Sequence, residues 1–482
     1  MRSRRKAMAD SVARLRGPPK APKAVPGSEE SRNGNEADTS KDYASDMEEY
    51  AKQMQRPDRP CHKPCDSLFS NQSGFHNYRG LLNDCILLLV LSNSKSAFEN
   101  LITYGFLVNP LKWVYVLVNK GGDSAFGLVA ISWMFPLAVL LIEQAMAKGR
   151  LSQRSLLACH ILNLLVMLLL PVVVVFLSQA GPLGSFFALI VYTVIFLKLI
   201  SYTQVNWWCR NSPEQTKTDS KQKMKMVQYP DNLNVKDLMY FLCAPTLCYE
   251  LNFPRTKRIR KIFVLRRTLE AIFIINIQMA ISQQWLLPIA LDSLEPFKDM
   301  EWVIMIQRVL VLALPNHLFW LLGFYYIFHS LMNLSGELLQ FADRKFYGDW
   351  WNSDTIARFW RTWNIPVHRW ASRHIYNPLV SLGYGKMTSQ FAVFLFSAFF
   401  HEYLVSIPLQ MLRPWAFVMM VSQIPLGLLT NLPFMRGQIG NIMVWIGIVL
   451  GQPLAILMYL HDYYWIHWAP LEDSVVNATN FM

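Results

Sequence analysis

Between residues 81 and 460 the chain is built from runs of about 20 apolar residues, near 81–108, 126–147, 155–178, 183–203, 264–291, 314–341, 387–412, 414–433 and 439–460. Each is long enough to cross the hydrocarbon core of a bilayer as a helix. In lipid every backbone N–H and C=O has to be satisfied internally, which leaves helices and closed barrels as the only spanning structures. These runs are continuously apolar rather than alternating, so they read as helices. The predicted fold is all-α: a polytopic membrane protein with about nine transmembrane helices. Composition agrees, because 52% of the 482 residues are hydrophobic and only 16% charged, against roughly 25% charged in soluble domains. Mean hydropathy is +0.20.

A formal net charge of +13 raises the question of nucleic acid. The placement of the charge argues against it, because Lys and Arg sit in loops and in the N-terminal segment. The connections alternate in charge. The second, fourth and sixth are basic, the sixth through Arg344, Lys345, Arg358, Arg361, Arg369, Arg373 and Lys386, while the odd-numbered ones hold few cations. Positive charge is retained in the cytosol, so the N-terminus and the loops 204–263 and 342–386 are expected there, with the C-terminus lumenal. The domain reading follows: a disordered basic cytosolic tail over 1–65, a first transmembrane helix and lumenal loop over 66–125, a membrane domain over 126–468, and a short lumenal tail over 469–482. The tail shows no apolar region of a secretory signal and too little apolar surface to order itself. Residues 2–6, RSRRK, suit a nuclear address, although cytosolic charge retention explains them more simply. Asn477-Ala478-Thr479 is a glycosylation sequon in the expected lumenal tail.

Seven cysteines are present. Cys61 and Cys65 have half the spacing of a zinc site, but no second pair follows, so the cysteines read as free thiols and no metal is expected.

Within 389–412, SQFAVFLFSAFFHEYLVSIPLQML, His401 and Glu402 occupy the middle of an apolar run. Ionisable groups at that depth cost several kcal/mol unless they face protein or a wet cavity. One explanation is a buried His paired with a neighbouring helix. The other is a general base inside the membrane, since imidazole exchanges protons near neutral pH. Further polar residues, Gln423, Asn441, Gln452, His461 and Asp462, recur in the last runs, which favours a buried polar chamber over isolated interhelical hydrogen bonds. In 354–376, Ile356, Phe359, Trp360 and Trp363 fall at helical spacing with Arg358 and Arg361 between them, Pro366 breaks the helix, and Trp370 and Ile375 resume the apolar face. Such a segment is expected to lie in the headgroup plane. The cations after 346–352 suit a polyphosphorylated ligand or anionic headgroups, and charge alone does not separate the two.

No G-x-S-x-G elbow, glycine-rich phosphate loop or H-E-x-x-H zinc pair is present. The residues that remain suit direct acyl transfer: a neutral imidazole deprotonating a hydroxyl as it attacks an activated carbonyl, with Asn364, Gln423 or Gln452 donating to substrate oxygens.

Four motifs carry a resemblance: FYGDWWN at 346–352, FWRTWNIPVHRW at 359–370, SAFFHEYLVSIPL at 397–409 and GQP at 451–453. Together they resemble the membrane-bound O-acyltransferase superfamily, and within it the branch containing diacylglycerol and sterol O-acyltransferases. YFLCAPTLCYELNFPR at 240–255 is similar to the animal type-1 diacylglycerol acyltransferases. The similarity covers about 66–468. It implies a helical bundle around a chamber open to the cytosol and sideways to the bilayer, and transfer of an acyl group from acyl-CoA to 1,2-diacylglycerol in the endoplasmic reticulum membrane. Acyl-CoA is then a substrate, and no cofactor is implied. Carried over motif by motif, the catalytic residues are His401, Glu402 and Asn364. Those associated with substrate are Phe346, Tyr347, Asp349, Trp350, Trp351, Asn352, Trp363, Tyr376, Lys386, Ser397, Gln423 and Gln452. At position 390 this chain has Gln where relatives carry Arg. The partners implied are acyl-CoA, diacylglycerol, membrane lipid and a second copy of the chain, as a homodimer or homotetramer assisted by the basic tail. An acyltransferase for sterol, retinol or a long-chain alcohol stays open, and more remotely a proton-coupled transporter, for which no paired inverted repeats are visible.

Overall fold

The computed structural model describes residues 79–112, 115, 122–211, 226–294 and 302–467. The N-terminal tail, Cys61 and Cys65, and the sequon lie outside the described residues. Within them every regular element is helical. Contacts divide the chain after Ser92. Of the first unit the described part is the beginning of α1 (Arg79–Tyr104), whose side chains from Ile86 to Leu91 are exposed apolar groups.

The second unit holds the rest of α1 and all later elements. Here α2 (Gly122–Ser132) and α3 (Met134–Ala147) form one spanning segment, followed by α4 (Gln153–Ser178) and α5 (Pro182–Asn211). A short α6 (Val235–Cys243) precedes α7 (Lys261–Ile281), which passes through a π turn, Ser282–Leu286, into Leu287–Leu291. Then α8 (Trp302–Phe324) continues through a second π turn, Tyr325–Leu331, into Met332–Leu338. The short α9 (Ile356–Trp363) and α10 (Ile365–Ala371) lead to α11 (Lys386–Ser406), α12 (Trp415–Thr430) and α13 (Gln438–His467).

Among the described residues seven helices are long and apolar enough to cross a bilayer: Asn83–Tyr104, Ser124–Ala147, Gln153–Ser178, Pro182–Asn211, Lys261–Leu291, Val303–Leu338 and Gln438–His467. The expected count of nine is not reached. The run at 387–412 becomes α11, which carries Lys386, His401 and Glu402. The run at 414–433 becomes α12, whose 16 residues rise only about 24 Å. The sixth run also starts earlier than expected, because Pro315 lies inside α8 instead of opening it. Prolines are tolerated in spanning helices where neighbours re-satisfy the freed carbonyl.

Buried polar groups tie the first helices together. Glu143 of α3 is fully buried and meets His160 Nε2 of α4 at 3.0 Å and Arg210 of α5 at 2.9 Å. Lys198, deep in α5, donates to the carbonyls of Phe241, Leu242 and Ala244 at 2.8–2.9 Å, satisfying the open C-terminal end of α6. The loop expected over 204–263 is therefore no surface connector. Helix α5 runs on to Asn211, and the segment after residue 226 folds back into the bundle, with Phe241 and Tyr249 fully buried beside Tyr202.

This segment also meets the sixth loop. Thr256 N–H donates to Gln340 O at 2.8 Å and Ala342 N–H to Pro254 O at 3.0 Å. Two spanning helices separate the two segments in sequence.

Segment 354–376 departs from the expectation of a headgroup-plane helix. Ile356, Phe359 and Trp370 are buried against protein, with Trp370 Nε1 donating to Leu197 O of α5 at 2.8 Å. The break comes at Asn364, not Pro366. Asn364 ends α9 and caps α10 by accepting from Val367 N–H at 3.1 Å, and Pro366 sits in the first turn of α10, where its missing N–H costs nothing.

Candidate active site

His401 lies on α11 five residues before its end. Its Nδ1 is 2.8 Å from the carbonyl oxygen of Ser397, one turn earlier. A carbonyl only accepts, so Nδ1 carries the proton and Nε2 keeps a free lone pair. The ring is accessible to water-sized contacts, yet protein surrounds it at longer range, as expected of a wall of an internal cavity.

The face of α11 around His401 changes character along its length. Lys386, Gln390, Ser397, His401, Leu404 and Val405 lie within about 60° of His401 around the helix axis, at 100° per residue. Lys386, at the first turn, is exposed and about 22 Å from His401 along the axis, fifteen residues at 1.5 Å each. Beyond His401, Leu404 and Val405 line an open pocket of about 680 Å³, together with Leu183 and Phe186 of α5, Leu287 after the π turn of α7, and Leu107 and Lys112. The lining is almost wholly apolar. One helix face thus presents a cation at one end, an imidazole in the middle and a hydrocarbon-compatible pocket at the other. The π turn serves the pocket directly. Gln284 bonds Asn100, Gly105 and Leu107, and Gln283 exchanges two bonds with the Asn109 backbone, strapping 105–112 across the cavity.

Glu402 points elsewhere. Consecutive helical residues are about 100° apart and do not face each other. Its carboxylate accepts from Ser406 Oγ, from Tyr459 Oη at 2.9 Å and from Phe417 N–H at 2.9 Å. No hydrogen bond joins it to His401 among the described residues, nor does one join Asn364 to His401.

Gln423 on α12 accepts from Trp360 Nε1 at 2.8 Å. An indole N–H only donates, which fixes the amide's orientation and leaves its NH₂ without a partner among the described residues. Gln452 on α13 pairs with Asn316 of α8 at 3.2 Å. Asn441 donates to the carbonyls of Trp351 and Ser353, seating the FYGDWWN segment on α13.

Within that segment the residues divide. Phe346 and Trp350 are buried at 2% and 3% exposure. Trp350 joins an aromatic cluster in which Trp363 stacks on Trp320 at 4.4 Å and 4°. Tyr347 Oη meets His329 Nδ1 at 2.8 Å. Asp349 pairs with Arg358 at 3.0 Å on the surface, and Trp351 and Asn352 are exposed. Tyr376 ends the π turn Ser372–Tyr376 that leads toward α11.

Several cations of the sixth loop are already engaged. Arg369 pairs with Asp343. Arg373 donates to Tyr249 O at 3.1 Å and lies over Trp208 at 5.4 Å. Arg361 and Lys386 have no acidic partner among the described residues. Next to Arg373, His374 is enclosed by Ser201, Gln204 and the Trp208 ring, and burial pushes its pKa down to about 3.

Sequence reasoning passed over Asn316 and His317. His317 stacks against Trp320 of its own helix and contacts Trp445 of α13. An amide and an imidazole in one span are the signal that would have found them.

The comparisons with known proteins bear on this arrangement. The family model described as the membrane-bound O-acyltransferase family matches residues 149–461. Diacylglycerol O-acyltransferase 1 of Bos taurus is 49% identical over 418 residues, 84% of this chain and 85% of the relative. The Homo sapiens protein of the same name is 48% identical over 422 residues, 86% of each. Diacylglycerol O-acyltransferase 1C of Glycine max is 34% identical over 414 residues, 84% of this chain and 80% of the relative. With His401, Gln423 and Gln452 all inside the matched region, and relatives aligned over more than four-fifths of the chain, this protein belongs to the membrane-bound O-acyltransferase family.

Proposed function

We propose that the chain is an acyl-CoA:diacylglycerol O-acyltransferase, moving a fatty acyl group from acyl-CoA to the free hydroxyl of diacylglycerol to give triacylglycerol and CoA. The relatives' names support the substrates. The observation that carries the chemistry is the tautomer of His401: with Nδ1–H committed to Ser397 O, Nε2 is a base without further rearrangement. Nε2 takes the hydroxyl proton as the oxygen attacks the thioester carbonyl. The tetrahedral intermediate collapses, the C–S bond breaks, and the leaving thiolate recovers the proton from the imidazolium. The free NH₂ of Gln423, with Gln452 beside Asn316, supplies donors for substrate oxygens. Lys386 at the mouth suits the phosphates of CoA, with the carrier arm running along α11 and acyl chains in the apolar cavity. FYGDWWN, seated on α13 and on the aromatic cluster around Trp320 and Trp363, acts mainly as scaffold, and Asn364 as the cap that orients α10. Glu402 supports activity through helix packing.

No cofactor enters this chemistry. The reading also places the protein in the endoplasmic reticulum membrane, with the N-terminus and the loops 204–263 and 342–386 cytosolic, the C-terminus lumenal, and the chain assembled as a homodimer or homotetramer.

Purified protein with labelled oleoyl-CoA, offered diacylglycerol, cholesterol and retinol in parallel and resolved by chromatography, tests the proposal. Labelled triacylglycerol is expected. Sterol or retinyl ester in its place would move the chain to another acceptor, and no ester from any alcohol would overturn acyl transfer. His401→Ala, inserted at wild-type abundance, is expected to lose about 10²–10⁴-fold in kcat.

A further inference from the structure

Helix α12 begins without a cap of its own. Its N-cap residue is Pro414, whose side chain offers no acceptor, while the first turn of any helix exposes unpaired N–H groups. Two of these are satisfied by other helices. Phe417 N–H donates to the Glu402 carboxylate of α11 at 2.9 Å, and Ala416 N–H donates to Tyr459 Oη of α13 at 2.7 Å. Tyr459 Oη in turn donates to Glu402 at 2.9 Å. Ser406 adds a fourth bond, to the same carboxylate oxygen. A negative charge is also well placed there against the helix dipole. Three helices therefore meet at one capped end.

Their directions give the junction a further meaning. Helix α11 runs toward it and places His401 one residue before Glu402. Helix α12 runs away and reaches Gln423 six residues after Phe417, about 9 Å along the axis. Helix α13 runs toward the junction and passes Gln452 seven residues before Tyr459, about 10.5 Å away along its axis. Sliding any one helix by a residue would shift its chamber group by about 1.5 Å relative to the other two.

We infer that Tyr459, acting through Glu402, is a positioning residue: it caps α12 from outside and locks the axial register in which His401, Gln423 and Gln452 face a common substrate. Tyr459 is 6% exposed and makes no hydrogen bond to His401, Gln423 or Gln452 among the described residues. Misalignment of about 1 Å is enough to cost catalysis heavily without unfolding the protein. The inference rests on the acyltransferase reading above.

The experiment compares full-length wild type, Tyr459→Phe, Ser406→Ala, Glu402→Gln and the Tyr459→Phe/Glu402→Gln double variant. Binding of a non-transferable thioether analogue of oleoyl-CoA counts the competent sites in each preparation. Steady-state transfer to diacylglycerol is then normalised to those sites. For Tyr459→Phe the expected result is a fall of about tenfold in kcat per site, with the analogue's Kd and the KM for acyl-CoA within twofold of wild type. The double variant is expected to be no worse than the poorer single variant, because both break one clamp. Wild-type turnover per site in Tyr459→Phe would overturn the inference, as would multiplicative losses in the double variant. So would a loss that vanishes on normalisation, which would reduce Tyr459 to a folding role. Ser406→Ala, a smaller lesion at the same carboxylate, keeps the test readable if Tyr459→Phe fails to insert, and a wild-type rate per site in it would then count against the clamp. Failure of wild type to bind the analogue or to make triacylglycerol is a separate result and overturns the acyltransferase reading itself.

Discussion

Glu402 accepts three hydrogen bonds, so replacing it by glutamine asks one partner to turn round. The hydroxyls of Ser406 and Tyr459 have an alternative acceptor in Arg413 O, at 2.9 and 3.4 Å, and their oxygens can then accept from the new amide. Phe417 N–H keeps its acceptor. Glu402→Gln should therefore retain more than a tenth of wild-type turnover at normal abundance. Glu402→Ala strands the Phe417 N–H, about 1–3 kcal/mol, and should lower Tm by several degrees in detergent. Equal melting of the two variants would contradict this account. At the N-terminal end of the same helix, Lys386→Gln should raise the KM for acyl-CoA, more at low salt, and leave that for diacylglycerol unchanged. Arg373→Gln belongs to a different class despite its charge, since Arg373 is spent on Tyr249 O and Trp208 and its loss should show in stability. The sequence pointed to His401 through the cost of an imidazole in an apolar run. It could not show that Arg373 was engaged, because the partners lie in distant segments.

Short helices between spans carry the next level of organisation. In α9 and α10 the spacing of apolar residues was legible, and the helices form where the spacing puts them. What the apolar face meets was not legible: periodicity marks a face to be removed from water, and lipid and protein satisfy it equally. Here protein wins. Trp370→Ala, which empties a site 2% exposed and loses the bond to Leu197 O, should cost about 3–5 kcal/mol, whereas Trp351→Ala at a position 44% exposed should be close to neutral. A thermal melt of each in detergent separates the two. The π turn after α10 adds a pH dependence. His374 has its pKa lowered to about 3 by burial, so the folded state holds it neutral while the unfolded chain protonates it near 6.5. Its contribution is complete above about pH 6.5 and is lost as pH falls toward 3, about 2 kcal/mol by pH 5. His374→Gln should flatten the dependence of Tm on pH between 7 and 5; an unchanged slope would assign the acid sensitivity elsewhere.

For the molecule as a whole, the alternation of loop charge makes a topology that labelling can test. In a cysteine-free background, single cysteines at positions 220 and 475 should label differently after selective permeabilisation of the plasma membrane, the first readily and the second only once the inner membrane is opened. Equal labelling would place both on one side and make the number of crossings between them even. Apolar length revealed the spans because the bilayer imposes it. It leaves α11 and α12 unconfirmed as spans, the first carrying His401 and Glu402 and the second only 16 residues long. Glu143 has one more consequence, in time. Its carboxylate lies in α3, and the arginine that neutralises it follows 67 residues later, at the end of α5. While the chain is being made, α3 is complete long before that partner exists, and a lone carboxylate resists release into hydrocarbon. Helix α3 is therefore expected to be stable in lipid only once α4 brings His160 and α5 brings Arg210, and Glu143→Gln should let it integrate without them.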